Sequence, residues 1–108
     1  MFEKDVSIGY LLDFYGELLT ERKRQALDLY YNCDLSLAET SAELGISRQA
    51  VRDLVTRAGA ELKTLEEKLG YAGKFRVIDR AAELAAQNAS DPDYVKEQLE
   101  LIRKTIKD

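Results

Sequence analysis

Ser36-Leu37-Ala38-Glu39-Thr40-Ser41-Ala42-Glu43-Leu44-Gly45-Ile46-Ser47-Arg48-Gln49-Ala50-Val51-Arg52-Asp53-Leu54 is the stretch that decides the fold. Ser36 and Glu39 have the spacing of a capping box, in which each side chain accepts from the other residue's unpaired backbone N–H. A short helix is therefore predicted to begin at about Leu37. Gly45 should stop it, because glycine takes a positive φ without a Cβ penalty, and Ser47 immediately offers a cap for the next helix. Two helices joined through a tight glycine-containing turn form a helix-turn-helix unit, expected over about residues 36–58.

In such a unit the first helix braces across a nucleic-acid backbone and the second presents its N-terminal turns to the major groove. Ile46, Val51 and Leu54 are expected in the core, with Arg48, Gln49, Arg52 and Asp53 displayed. Arg suits guanine O6 and N7, Gln suits adenine N6 and N7, and Ser47 at a helix N-terminus suits a phosphate. Ser47, Arg48, Gln49 and Arg52 are thus the candidate nucleic-acid-binding residues. The plainer reading is a packed helix pair with a solvated outer face. Between Ser36 and Arg57, the bases Arg48, Arg52 and Arg57 are matched by the acids Glu39, Glu43 and Asp53. A sequence-specific DNA reader normally carries a phosphate-neutralising excess, because counterion release supplies much of its affinity.

Upstream, Ile8, Leu11, Leu12, Tyr15, Leu18 and Leu19 recur at helical spacing, with Asp5 or Ser7 able to cap them. Thr20 caps a second predicted helix, about Glu21 to Tyr31, whose apolar side is Ala26, Leu27 and Tyr30. Asn32 to Asp34 reads as the following turn. Arg22, Lys23 and Arg24 form the one dense basic run, near a helix start where positive charge opposes the dipole. A phosphate partner explains that placement, and so does an ordinary solvated face.

Downstream, Val51, Leu54, Ala58, Leu62, Leu65 and Leu69 carry one helix from Arg48 to about Leu69. Gly59 inside it marks a kink or a close backbone approach. Gly70 and Gly73 bracket a connection, after which Phe75, Ile78, Ala81, Ala82 and Ala85 suggest a fifth helix ending near Asn88. Asp91 before Pro92 starts a sixth, with Val95, Leu99, Ile102 and Ile106 in a row and Arg103, Lys104 and Lys107 in its last turns. No segment alternates with period two. The rows Ala58, Leu62, Leu65, Leu69 and Val95, Leu99, Ile102, Ile106 are heptad-like, and they suit packing on one another or on a second subunit.

A length of 108 residues fits a single domain, with the C-terminal helical extension expected over about residues 59–108. The net charge of −4 means that no global positive field draws nucleic acid, so any such contact relies on a local patch. The lone Cys33 cannot form an internal disulfide, and neither a leader nor an apolar run of bilayer length is evident, which points to the cytoplasm.

Few residues suggest chemistry. Cys33 has no His in the chain to activate it or to share a zinc ion, so it reads as structural or incidental. Tyr30, Tyr31 and Tyr71 could stack on exposed bases, although Tyr at helical spacing beside Leu27 reads better as core with its hydroxyl at the rim. Glu66-Glu67 lies beside Lys63 and Lys68, and Asp91 with Asp93 surrounds a helix start, so solvation and capping account for both pairs. Gly70-Tyr71-Ala72-Gly73-Lys74 lacks the spacing and the preceding strand of a phosphate-binding loop. No catalytic or metal-binding constellation assembles, and the chain is expected to be a non-enzyme without cofactors.

Leu19-Thr20-Glu21-Arg22-Lys23-Arg24, Leu29-Tyr30-Tyr31, Leu35-Ser36-Leu37-Ala38-Glu39 and Gly45-Ile46-Ser47-Arg48-Gln49-Ala50-Val51 together resemble the YlxM-like helix-turn-helix proteins. Leu11-Leu12-Asp13-Phe14-Tyr15 and Glu66-Glu67-Lys68-Leu69 extend the resemblance over about residues 8–78. The central segment is also similar to region 4 of bacterial sigma factors, which binds promoter DNA. The YlxM-like resemblance implies an accessory or regulatory role in the signal recognition particle pathway, which targets nascent membrane and secreted proteins.

Two departures stand out. Thr40 and Ser41 replace a large aliphatic residue and Ala, making the first helix of the motif less apolar. Arg52-Asp53-Leu54-Val55 replaces a more aromatic, amide-rich stretch, so base-reading preferences do not carry over.

The expected fold is all-α: a head of the sigma region 4-like, winged-helix-like DNA-binding superfamily, a long fourth helix and two C-terminal helices. The expected partners are the particle's protein or RNA, with duplex DNA as the alternative, and a second copy of the chain as a homodimer. Neither a membrane nor a small-molecule substrate is expected.

Overall fold

A computed structural model of the chain describes residues 4–108, and the described residues form helices and turns without a strand. The order is α1 (Val6–Tyr15), a tight turn of 3-10 helix (Gly16–Leu18), α2 (Glu21–Leu27), a π turn (Asp28–Asn32), α3 (Leu37–Leu44), α4 (Arg48–Leu69), α5 (Tyr71–Gln87) and α6 (Pro92–Lys107). The fold is all-α, as the sequence indicates. It divides into two compact units, Met1–Leu69 and Gly70–Asp108.

In the first unit α1, α2 and α3 all pack on α4. Its core is Ile8, Leu11, Leu12 and Tyr15 from α1, Leu19, Ala26 and Leu27 around α2, Tyr30, and Val51, Val55, Ala58 and Leu62 from α4. Leu27 and Leu62 are completely enclosed, and burying a side chain of that size contributes about 1.5–3 kcal/mol. Gly59 is buried, and a Cβ placed there would lie 3.4 Å from Ile8 Cδ1. The α4 helix runs unbroken through this position, so the glycine marks no break; it faces Ile8 of α1 across a gap that a methyl group would fill at contact distance.

Local chemistry sets the helix ends. The Asp5 side chain accepts from the Ser7 N–H at 3.0 Å, and Thr20 accepts from the Lys23 N–H at 3.4 Å. The first predicted helix is divided. It ends at Tyr15, a tighter turn carries the chain to Leu19, and Leu18 is 62% exposed where the sequence row placed it inside. The second helix also changes pitch after Leu27, widening into a turn closed by the Cys33 N–H on the Asp28 carbonyl at 3.0 Å. Asp34 then takes φ +54°, a left-handed conformation that aspartate tolerates, and Lys4 bonds its carboxylate at 2.8 Å.

In the second unit α5 and α6 pack on each other as a helical hairpin. The connection expected between Gly70 and Gly73 is a single residue: Gly70 takes φ +65° and α5 begins at Tyr71, with Gly73 inside it. Asp91 caps α6 by accepting from the Tyr94 N–H at 3.2 Å, with Pro92 in the first helical turn.

Candidate nucleic-acid interface

The helix-turn-helix is built by a short chain of bonds around α3. Ser36 and Glu39 complete the capping box, each backbone N–H donating to the other residue's side-chain oxygen at 3.0 Å. Hydrogen bonding of the Ser36 backbone N–H, and then of its side chain, to the carboxylate holds Glu39 below the usual carboxylate range. Thr40 is fully buried, its hydroxyl donating to the Ser36 carbonyl at 2.8 Å. The Ser41 hydroxyl donates to the carbonyl of Ile46, tying α3 across the turn. The two departures that made this helix look less apolar therefore fill roles of their own. Each hydroxyl is satisfied by a nearby carbonyl, so burying it leaves no orphaned polar atom.

Gly45 takes φ +68°, and its N–H donates to the Ser41 carbonyl at 2.9 Å. Ser47 then caps α4, its hydroxyl accepting from the Ala50 N–H at 3.0 Å. Val51 is fully buried and Ile46 and Leu54 are half-buried, so the inner face of the motif is the expected one. Ser47, Arg48, Gln49 and Arg52 are all exposed on or just before the first turns of α4. An open hollow on the same helix is lined by Arg52, Asp53, Thr56 and Arg57, alternating the two signs of charge. The Gln49 side-chain amide donates to Asp53 Oδ1 at 3.0 Å, so the group suited to adenine is engaged within the helix.

The basic run of α2 is dispersed by helical geometry, which turns successive residues by about 100°. Arg22 reaches the C-terminal end of α3, donating to the Leu44 carbonyl at 3.4 Å beside the turn of the motif. Lys23 pairs with Glu61 of α4 at 2.8 Å. Arg24 lines a cleft together with Asp13, Glu17 and Asp28, among acids rather than beside a phosphate path. Of the three, only Arg22 adjoins the helix-turn-helix. Glu61 gave no sequence signal, since an acid on a helix face looks like any solvated one until α2 crosses it.

Other candidate residues resolve toward structure. Tyr30 is buried, with Lys4 Nζ 4.4 Å from its ring centroid, and burial raises its pKa. Tyr31 packs edge-on against it at 5.2 Å, and its hydroxyl accepts from the Asp5 N–H at 3.4 Å. Glu66 accepts from the Tyr15 hydroxyl at 2.6 Å, a partner that sequence alone did not suggest. Asp5 is bound by Lys63 at 2.9 Å; that bond, with further bonds from Ser7, lowers its pKa to about 2. Among the described residues no cluster of three or more acids or cysteines could hold a metal ion, and Cys33 is exposed. No described helix is long and apolar enough to cross a membrane.

Comparison with known proteins agrees with this geometry. The family model described as "Putative helix-turn-helix protein, YlxM / p13 like" (UPF0122) matches residues 2–102. A UPF0122 protein of Bacillus cereus strain AH187 is 40% identical over 106 residues, covering 98% of this chain and 96% of the relative. UPF0122 proteins of Bacillus anthracis strain A0248 and of Bacillus thuringiensis subsp. konkukian strain 97-27 match with the same identity and coverage. The match reaches well past the residues 8–78 over which the sequence alone shows a resemblance, into α6. The chain belongs to the UPF0122 family of YlxM / p13-like helix-turn-helix proteins.

Proposed function

We propose that this protein is a non-catalytic accessory or regulatory factor of the signal recognition particle pathway in the cytoplasm, docking on the particle's protein or RNA through the face around the start of α4. The carrying observation is the character of that face: a well-formed helix-turn-helix whose outer side is charge-balanced. Arg48 and Arg52 are exposed there, Asp53 engages the Gln49 amide, and Glu39 belongs to the capping box. Such a surface gains little from counterion release, and that favours a contact with the particle's protein over free duplex DNA. The pathway itself comes from the YlxM-like resemblance.

One observation favours a second reading. Arg48 and Arg52 stand four residues apart, one turn, at the N-terminal end of the second helix of the motif, where a duplex-DNA reader carries its base contacts. A transcriptional regulator would use those two side chains, with Ser47 and Arg22 toward the phosphates.

Capture of partners by the tagged full chain from a bacterial lysate, with and without nuclease, separates the readings. Retention of signal recognition particle components supports the accessory role, and nuclease sensitivity assigns the contact to RNA. Enrichment of chromosomal fragments without particle components overturns it in favour of the regulator.

A further inference from the structure

The second unit, Gly70–Asp108, consists of two helices, and two helices cannot enclose the apolar faces that they carry. The residues buried within α5 and α6 are small: Ala72, Ala81 and Thr105. The larger ones are covered only in part: Ile78 and Leu84 of α5 are half-buried. Leu99 is 52% and Ile106 63% exposed, with Val95 and Ile102 half-buried between and beside them. These four positions follow the four-three-four spacing of a coiled-coil seam. One border of the row is Gln98 and Thr105, which are half-buried and buried and so lie toward α5. The other border is entirely exposed: Asp93, Lys96, Glu100, Arg103 and Lys107.

We propose that this row is the interface of a homodimer, in which α6 of one copy lies antiparallel on α6 of a second. The charge order along the helix selects that occupant and that direction. Asp91, Asp93 and Glu97 occupy the first half, against Lys96 alone, whereas Arg103, Lys104 and Lys107 occupy the second, against Glu100 and Asp108. A parallel pair would set like charge against like along its whole length. An antiparallel pair with Val95 opposite the partner's Ile106, and Leu99 opposite the partner's Ile102, brings Glu100 near the partner's Arg103 and Asp93 near the partner's Lys107. Lys96 is the exception on this border: it lies near the partner's Arg103, a like-charge contact that offsets part of the gain. The arrangement is isologous and closes on itself, as a two-fold interface requires. It also completes the burial of side chains that the single copy leaves half-covered or exposed, and units below roughly 40 residues commonly need such help from oligomerisation.

Sedimentation equilibrium of the full chain tests this directly. The wild-type protein is expected to be a dimer, and Leu99→Glu/Ile106→Glu is expected to be a monomer with unchanged helical circular dichroism, because both side chains are exposed in the single copy. Charge variants test the direction. Asp93→Lys/Glu100→Lys and Arg103→Glu/Lys107→Glu should each weaken self-association by roughly tenfold or more, and mixing the two should give a one-to-one heterodimer. The proposal is overturned if the wild-type chain stays monomeric up to about 100 μM, or if the dimer survives Leu99→Glu/Ile106→Glu. Failure of the two charge variants to pair with each other would overturn the antiparallel direction.

Discussion

Asp5 shows how much one side chain can join. Its carboxylate caps α1 through the Ser7 N–H and pairs with Lys63 of α4, linking the first helix of the unit to the last. Its pKa is lowered to about 2, so the stabilisation is fully present above the ordinary carboxylate value of 3.8 and is lost as pH falls through about 2. Asp5→Asn keeps a good capping residue and removes only the charge. Its melting temperature, followed by circular dichroism, should fall less than that of the wild type between about pH 4 and pH 2. The wild-type difference should shrink with added salt, because the pair is partly exposed. Gly59 gives a prediction of opposite sign. An alanine Cβ would meet Ile8 Cδ1 at 3.4 Å, an ordinary contact distance, while relieving the entropic cost of glycine within a helix. Gly59→Ala should therefore stabilise the protein by roughly 0.5–1 kcal/mol in urea unfolding. A larger side chain such as leucine should reverse the sign by overpacking against α1.

Among the elements, α3 depends most on its caps, because its eight residues are too few to be stable by propensity alone. Ser36→Ala removes the hydroxyl that accepts from the Glu39 N–H, while the backbone N–H of residue 36 can still donate to the Glu39 carboxylate. It should cost about 1 kcal/mol in chemical denaturation, and amide exchange should show the loss concentrated in α3 and the following turn. The helix starts were legible in the sequence for the same reason that they are stable: Thr20, Ser36, Ser47 and Asp91 act through bonds only three residues long. The changes of pitch were not legible. Tyr15 to Leu19 and Leu27 to Asn32 keep an apolar pattern compatible with an ordinary helix, and the departure arises where α1 and α2 must both reach α4. The start of α5 was misplaced because two nearby glycines look alike in sequence, yet only Gly70 has the positive φ that turns the chain.

At the scale of the molecule, the helix-turn-helix and its inner face could be read from residues 36–54, since caps, turn and apolar spacing all lie within one short stretch. The outer face could not be read in the same way. The pairing of Gln49 with Asp53, of Lys23 with Glu61 and of Arg22 with the Leu44 carbonyl depends on which side chains meet, and charge counts do not contain that information. Arg48 and Arg52 are both exposed on the first turns of α4, and the functional account centres on these two residues.

The measurement that tests this account most directly is equilibrium binding of the full chain to purified signal recognition particle and, separately, to mixed-sequence duplex DNA over a range of salt concentrations, for the wild type and for Arg48→Ala/Arg52→Ala. The account predicts saturable binding to the particle, weakened by roughly tenfold or more in the double variant, and weaker binding to DNA. Binding to duplex DNA alone with a steep salt dependence, or affinity for the particle unchanged in the double variant, would contradict it.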